Sequence, residues 1–149
     1  MICVIQRVKR SSVSVNGSAA GSVEKGLTIL AGVKKGDTER EAEKLCAKIC
    51  ALRIFEDDKG KMNLSVEDIG GSVLVVSQFT LLADTSRGRR PSFGQAEEPE
   101  RAKALYSYFA GLFAKRGLDT QTGVFGADML LYIENDGPAT FILSEEPEN

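Results

Sequence analysis

The 149-residue chain contains no histidine. That absence removes Ser-His-Asp and Cys-His catalysis from consideration. Cysteine is scarce as well. Three of them, an odd number, do not make a disulfide framework. With no histidine to join them they also fall short of a tetrahedral zinc set, so neither a metal nor a cofactor is expected. Cys3 sits in an apolar opening stretch, and Cys46 and Cys50 stand four apart in a helical pattern; all three read as reduced core residues. Long apolar runs are missing too. None nears the ~18 residues that span a membrane. The opening "MICVIQRVKR" is apolar for only five residues and lacks a small-residue cleavage site, so it reads as a strand, and the expected location is the cytoplasm. Finally, there is no long block of one charge. The net charge is −2, and the last residues, "SEEPEN", hold Glu145, Glu146 and Glu148; removing those three negative charges leaves the body at +1. Short basic clusters at Arg7/Lys9/Arg10, Lys34/Lys35 and Arg87/Arg89/Arg90 permit a phosphate-bearing partner without demanding one.

What the chain does have is enough length for one domain with a real core, and strand and helix patterns that are easy to separate. Residues 2–8 predict a strand. "SSVSVNGSAAGSV" alternates at Val13 and Val15 and then presents Asn16-Gly17, a hairpin signal, because both residues tolerate the positive φ of a tight turn. Gly26 opens "LTILAGV", a second buried strand. "DTEREAEKLCAKICALRIF" switches to helical period, with Ala42, Leu45, Cys46, Ile49 and Leu52 on one stripe. Thr38 and Glu41 fit a capping box there, and Asp37 is a competing cap. "MNLSV" predicts a short or edge strand. A second helix begins at Pro99, buries Ala102, Leu105, Phe109, Leu112 and Phe113, and ends near Gly117. Strands at "TQTGVF" and "ADMLLYIEN" follow, then a reverse turn at "NDGP", then "ATFIL". Strands before and after two helices predict an α+β fold: one domain over residues 1–144 with a mainly antiparallel sheet packed on helices, and an acidic tail at 145–149.

Two stretches raise questions that fold alone does not answer. "SVLVVSQFTLLAD", residues 72–84, is a continuous apolar strand that ends in Ser77, Gln78, Phe79 and Thr80. The polar residues mark either the exit from the core or the delivery of polar groups to a pocket. The loop after it, "ADTSRGRRPSFGQAEEP", is long and polar for a compact domain.

"SQFTL" at 77–81 and "NDGPAT" at 135–140 together resemble the D-aminoacyl-tRNA deacylases. So do "MICVIQRV" at the start, "GKMNLSV" at 60–66, "RPSF" at 90–93, "YFAGLF" in the second helix and "TQTGVFGADM" at 120–129. The resemblance runs from Met1 to about Leu143. It implies a small α+β domain with a partial barrel, a homodimer, and hydrolysis of the ester between a D-amino acid and the terminal adenosine of tRNA. Glycyl-tRNA is a second expected substrate. The family's strand end maps onto Ser77, Gln78, Phe79 and Thr80, and its Gly-Pro onto Gly137-Pro138, held cis and inserted into the partner subunit's pocket. After the proline the family usually has valine where this chain has Ala139.

On this reading the backbone N–H groups of Phe79 and Thr80 stabilise the oxyanion that forms when water attacks the ester, and Ser77 and Gln78 hold the ribose or adenine. Thr80 is read as a positioning residue ahead of a nucleophile, since no base stands near it in sequence. For Arg7 two readings stand side by side: hydrogen bonds to carbonyls of the Gly-Pro turn, or a surface ion pair. Arg87, Arg89 and Arg90 are expected to meet tRNA phosphates. The alternatives are a nucleic-acid-binding module without hydrolysis and a related enzyme with a trans Gly-Pro.

Overall fold

The computed structural model describes residues 1–148; Asn149, the last residue of the expected tail, lies outside the described residues. The fold is α+β. Its main sheet contains β1 (Ile2–Val15), β2 (Ser18–Val23), β3 (Gly26–Gly32), β6 (Ser72–Ser77), β7 (Asp119–Thr122) and β8 (Leu130–Ser144). Between β3 and β6 lie helix α1 (Glu39–Ala51) and a two-stranded ribbon of β4 (Phe55–Glu56) and β5 (Met62–Leu64); helix α2 (Pro99–Lys115) lies between β6 and β7. One edge of β1 pairs with β3 through its first half and with β2 through its second, and β8 pairs with β1 along nearly its whole length. These pairs are antiparallel, whereas β3–β6 and β6–β7 are parallel.

The sheet curls until β2 meets β7. At Gly21 a Cβ would lie 2.8 Å from the Thr122 carbonyl oxygen, so glycine is what lets the two backbones approach and nearly close the barrel. β6 explains its own apolar run. Val73 and Val75 join the main core with both helices, while Leu74 and Val76 join Val13 and Val23 in a second cluster. A strand buried on both faces has no reason to alternate.

Local signals decide the helix ends. Thr38 caps α1, and Glu41 returns hydrogen bonds from the Thr38 N–H and hydroxyl at 2.7 and 2.6 Å. These contacts, the Thr38 side chain foremost, hold the Glu41 carboxyl below its usual range. Asp37 does not compete, because its carboxylate accepts the Lys34 N–H and lies 2.7 Å from the buried α-ammonium of Met1. Pro99 sits in the first turn of α2, and Gly117 follows its end with φ +84°. The buried stripe of α2 is Leu105, Tyr106, Phe109, Ala110 and Phe113; Ala102 and Leu112 are only partly covered.

Two expectations fail. β7 stops at Thr122, so "GVF" belongs to a loop that leads to Leu130. "NDGP" is not a reverse turn between two strands. Gln6 pairs with Thr140 and Val8 with Asn135, so a single β1 residue, Arg7, stands opposite four residues of β8. The extra residues bulge from a strand that continues in the same direction.

Candidate functional site

The Gln78 N–H makes the last ladder bond of its strand, to the Ala31 carbonyl at 2.8 Å. The chain then tightens into a single 3₁₀ turn, Phe79–Leu82, closed by Leu81 N–H to the Gln78 carbonyl and Ala83 N–H to the Thr80 carbonyl, both 3.2 Å. A helical turn leaves its first N–H groups without partners. Accordingly, among the described residues the N–H groups of Phe79 and Thr80 donate to nothing. The Gln78 amide donates to the Thr80 hydroxyl. Thr80 is thereby tied to the strand end, and it stands exposed outside the two neighbouring cavities.

Those cavities flank the strand end. One of about 300 Å³ is walled by Ala31, Val33, Ala102, Tyr106 and Phe125. Another of about 480 Å³ is walled by Val76, Ala127, Asp128, Met129 and Leu131. Both share Ser77, Gln78, Phe79 and Gly126, so the strand end divides an apolar compartment from a more polar one. The Tyr106 hydroxyl donates to the Val75 carbonyl at 2.7 Å, fixing β6 two residues before Ser77. Burial pushes that phenol up to about 12, so it remains a donor at neutral pH.

The polar loop after the strand is anchored beside the site. Asp84 and Ser92 exchange two backbone hydrogen bonds at 2.8 and 3.0 Å, and the exposed tip between them carries Arg87, Arg89 and Arg90. Phe93, at its base, stands edge-on to the Phe79 ring with centroids 5.0 Å apart. Sequence reasoning assigned no role to Phe93; its signal was a lone aromatic among exposed Arg, Pro and Ser. Tyr106, Phe125 and Met129 were likewise missed as site residues, since each reads as ordinary apolar filling.

The Gly137-Pro138 bulge is built differently. Its peptide bond is cis, and both residues are exposed. Arg7 lies beneath it, only 6% exposed. Its Nε donates to the Asp136 carbonyl at 3.0 Å and its Nη1 to the Ile54 carbonyl at 2.8 Å; the Asp136 carboxylate is 3.8 Å away. Arg7 is therefore a buried carbonyl donor, not a surface ion pair, and the carbonyl it holds in the bulge belongs to the residue before Gly137. Asn135, read in the sequence only as part of a turn, accepts the Ala139 N–H at 2.7 Å and donates to the Thr140 hydroxyl at 3.0 Å, which also receives Gln6. Ala139 itself is buried.

The two motifs do not meet within one chain. Ser77 pairs with Ala31 on β3, whereas Arg7 pairs with Leu27, and the bulge lies two strands beyond β3. At ~3.3 Å per residue and ~4.8 Å per strand, the separation is on the order of 20 Å. Neither cavity at the strand end includes Gly137 or Pro138.

A family model described as D-Tyr-tRNA(Tyr) deacylase matches residues 4–144. A D-aminoacyl-tRNA deacylase of Persephonella marina is 58% identical over 146 residues, 98% of this chain and 99% of the relative. One from Aquifex aeolicus is 56% identical over 143 residues, 96% of this chain and 97% of the relative. Among solved structures, a c-Myc DNA unwinding element binding protein superposes with TM-score 0.91 at 39% identity, covering 99% of this chain and all of the other. A probable eukaryotic D-amino acid tRNA deacylase superposes with TM-score 0.80 at 18% identity over 97% of this chain and 98% of the other, a likeness of fold.

Proposed function

The chain belongs to the D-Tyr-tRNA(Tyr) deacylase family, and from that premise we propose that it hydrolyses the ester of D-aminoacyl-tRNA, and of glycyl-tRNA, as a cytoplasmic homodimer whose sites are completed across the subunit interface. The observation that carries the chemistry is the pair of N–H groups at Phe79 and Thr80 that have no partner among the described residues, beside a cavity, in a chain without histidine. Water adds to the ester carbonyl, and the negative charge forming on its oxygen accepts from those two donors. The bond to the terminal ribose oxygen then breaks, and that oxygen leaves with a proton. The ribose carries a neighbouring hydroxyl that relays the proton. Aminoacyl esters are reactive, so positioning and an oxyanion donor worth about 10²–10³ in rate supply much of what is needed. Ser77 and Gln78 hold the terminal nucleoside where both cavities meet.

Support for two subunits comes from the separation of the motifs and from β8. Among the described residues β8 pairs only with β1 in the sheet, and on either side of its bulge it exposes Leu130, Tyr132 and Ile142. Exposed edge strands with large apolar residues are sites of association. On this reading Gly137-Pro138 of each subunit enters the other's pocket and sits against the substrate's α-carbon. A hydrogen fits on that side and a side chain does not. L-esters are excluded, while D-esters of any size, and glycine, are accepted. Arg87, Arg89 and Arg90 meet tRNA phosphates; neutralising all three should flatten the salt dependence of tRNA binding by about one unit per lost contact.

The test is deacylation of matched D- and L-tyrosyl-tRNA, with glycyl-tRNA as a third substrate. Fast loss of the D-ester, measurable loss of the glycyl ester and persistence of the L-ester are expected. Binding without loss of any ester would leave a nucleic-acid-binding module, and a fully active monomer in sedimentation would remove the cross-subunit site.

A further inference from the structure

The acidic residues after β8 lie over α1 and pair with its cations and with Lys34, Glu146 and Glu148 staying exposed. Backbone bonds tie Glu145 to Met1 in both directions, at 3.0 Å from its N–H and 2.6 Å to its carbonyl. Beyond that anchor each glutamate of the tail faces a cation. Glu145 lies 3.9 Å from Lys48, Glu146 2.5 Å from Lys34, and Glu148 3.0 Å from Lys44 and 2.9 Å from Arg40. Arg40, Lys44 and Lys48 recur every fourth residue, so they form one stripe on α1. Their two helical steps cover about 12 Å. The three residues from Glu145 to Glu148 reach about 10 Å when extended. The tail thus matches the stripe in charge and in length, running from the end of the helix to its start.

A fourth cation held by the tail, Lys34, lies off the helix and next to the pocket at the strand end. Lys34 follows Val33 and bridges to Ala96, and both Val33 and Ala96 line the 300 Å³ cavity beside Ser77. One four-residue tail thus spans both Lys34, beside the pocket in which the proposed function holds the tRNA 3′ end, and the stripe on α1. Its present cover is weakly bound, because exposed ion pairs contribute little and are screened by salt.

We propose that this tail is an intramolecular stand-in for phosphate, occupying a basic track on α1 that takes the phosphates of the tRNA acceptor arm once the tail is displaced. The tail therefore lowers tRNA affinity. The choice of partner rests on the deacylase reading above, since the nucleotide chain entering that pocket is the polyanion that lies against its rim.

The test compares three full-length proteins binding deacylated tRNA over a salt series: wild type, E145Q/E146Q/E148Q, and a control of equal net charge, E24Q/E56Q/D58N, altered at exposed residues that belong to neither the tail nor α1. The tail variant should bind several-fold tighter at low salt, with a slope steeper by two to four units at about one per added phosphate contact. The control should change by less. Adding R40Q/K44Q should cancel the gain in the tail variant and leave wild type nearly unaffected. Equal behaviour of tail variant and control would overturn the proposal. So would an equal loss from R40Q/K44Q in both backgrounds, which would mean the tail does not compete. Hydrolysis of D-tyrosyl-tRNA is followed separately: its absence in wild type removes the deacylase reading, whereas unchanged binding with normal hydrolysis removes only the role of the tail.

Discussion

The end of β6 and the bulge of β8 are both interruptions of a strand, yet they are opposites in construction. At the end of β6 the backbone leaves donors unused among the described residues, beside open cavities, and Phe79 is 59% exposed. At the bulge the surrounding polar groups are engaged: Arg7 holds Asp136, Asn135 holds Ala139, and Thr140 receives both Asn135 and Gln6. An unfilled set of donors can receive a charge that develops during a reaction. A loop braced from beneath and from both sides can exclude a shape. On the proposed reading rate and selectivity are built in separate places, so they should respond separately to substitution.

The largest expected effect falls on the donors. Phe79→Pro removes an N–H at the first position of a helical turn, where proline's fixed φ is tolerated. Phe79→Ala keeps that N–H and loses only the ring and its contact with Phe93. Single-turnover hydrolysis of D-tyrosyl-tRNA should be about 10²–10³ slower in the proline variant than in the alanine variant. Equal rates would place oxyanion stabilisation elsewhere.

Next is Arg7→Ala. It leaves the Ile54 and Asp136 carbonyls without their buried donor, a loss on the order of 3 kcal/mol in urea unfolding. In protein that remains folded, discrimination between D- and L-esters should fall more than the D-ester rate. Gly137→Ala is a smaller perturbation of the same kind. Gly137 has φ +134°, and a Cβ there would lie 2.9 Å from Arg7 Nη2 and 3.1 Å from the Ala139 nitrogen. It should cost about 1–3 kcal/mol of stability and raise L-ester hydrolysis by roughly tenfold, the factor that ~1.4 kcal/mol of lost exclusion corresponds to. A variant that slowed both esters equally would show that the bulge serves rate, not selection.

How much of this contrast was legible in the sequence depends on how local its cause is. The capping box of Thr38 and Glu41, the hairpin at Asn16-Gly17 and Pro99 at the start of α2 are set within a few residues, and each was readable. The apolar run of β6 was readable as a strand, and its burial on two faces explains the missing alternation. "NDGP" was misread because its conformation depends on β1, more than a hundred residues away: the register skips Arg7 and leaves four residues of β8 to bulge. Arg7 was undecided for the same reason, since its acceptors are Ile54 and Asp136. Phe93 and Tyr106 became visible as site residues only once the fold brought them against Phe79 and Val75. The tail's cations are Lys34 and a stripe on α1, equally far in sequence.

The smallest expected effect is at Thr80. Its hydroxyl accepts from Gln78 and lines neither cavity. Thr80→Ala should lower the D-ester rate less than tenfold, which corresponds to ~1.4 kcal/mol or the loss of one ordinary hydrogen bond. A fall beyond about 10³ with tRNA binding intact would make the hydroxyl essential.

The central claim is that rate comes from one subunit and selectivity from the other, and a mixed dimer tests it directly. One subunit carries Phe79→Pro and the other Gly137→Ala, with heterodimers purified through two different tags. The one working strand end is then in the Gly137→Ala subunit, and it faces the unaltered Gly137-Pro138 of its partner. L-tyrosyl-tRNA hydrolysis per working site should drop from the level of the Gly137→Ala homodimer to that of wild type. L-ester hydrolysis that stays at the Gly137→Ala level would show that each site uses its own bulge, and would contradict the account.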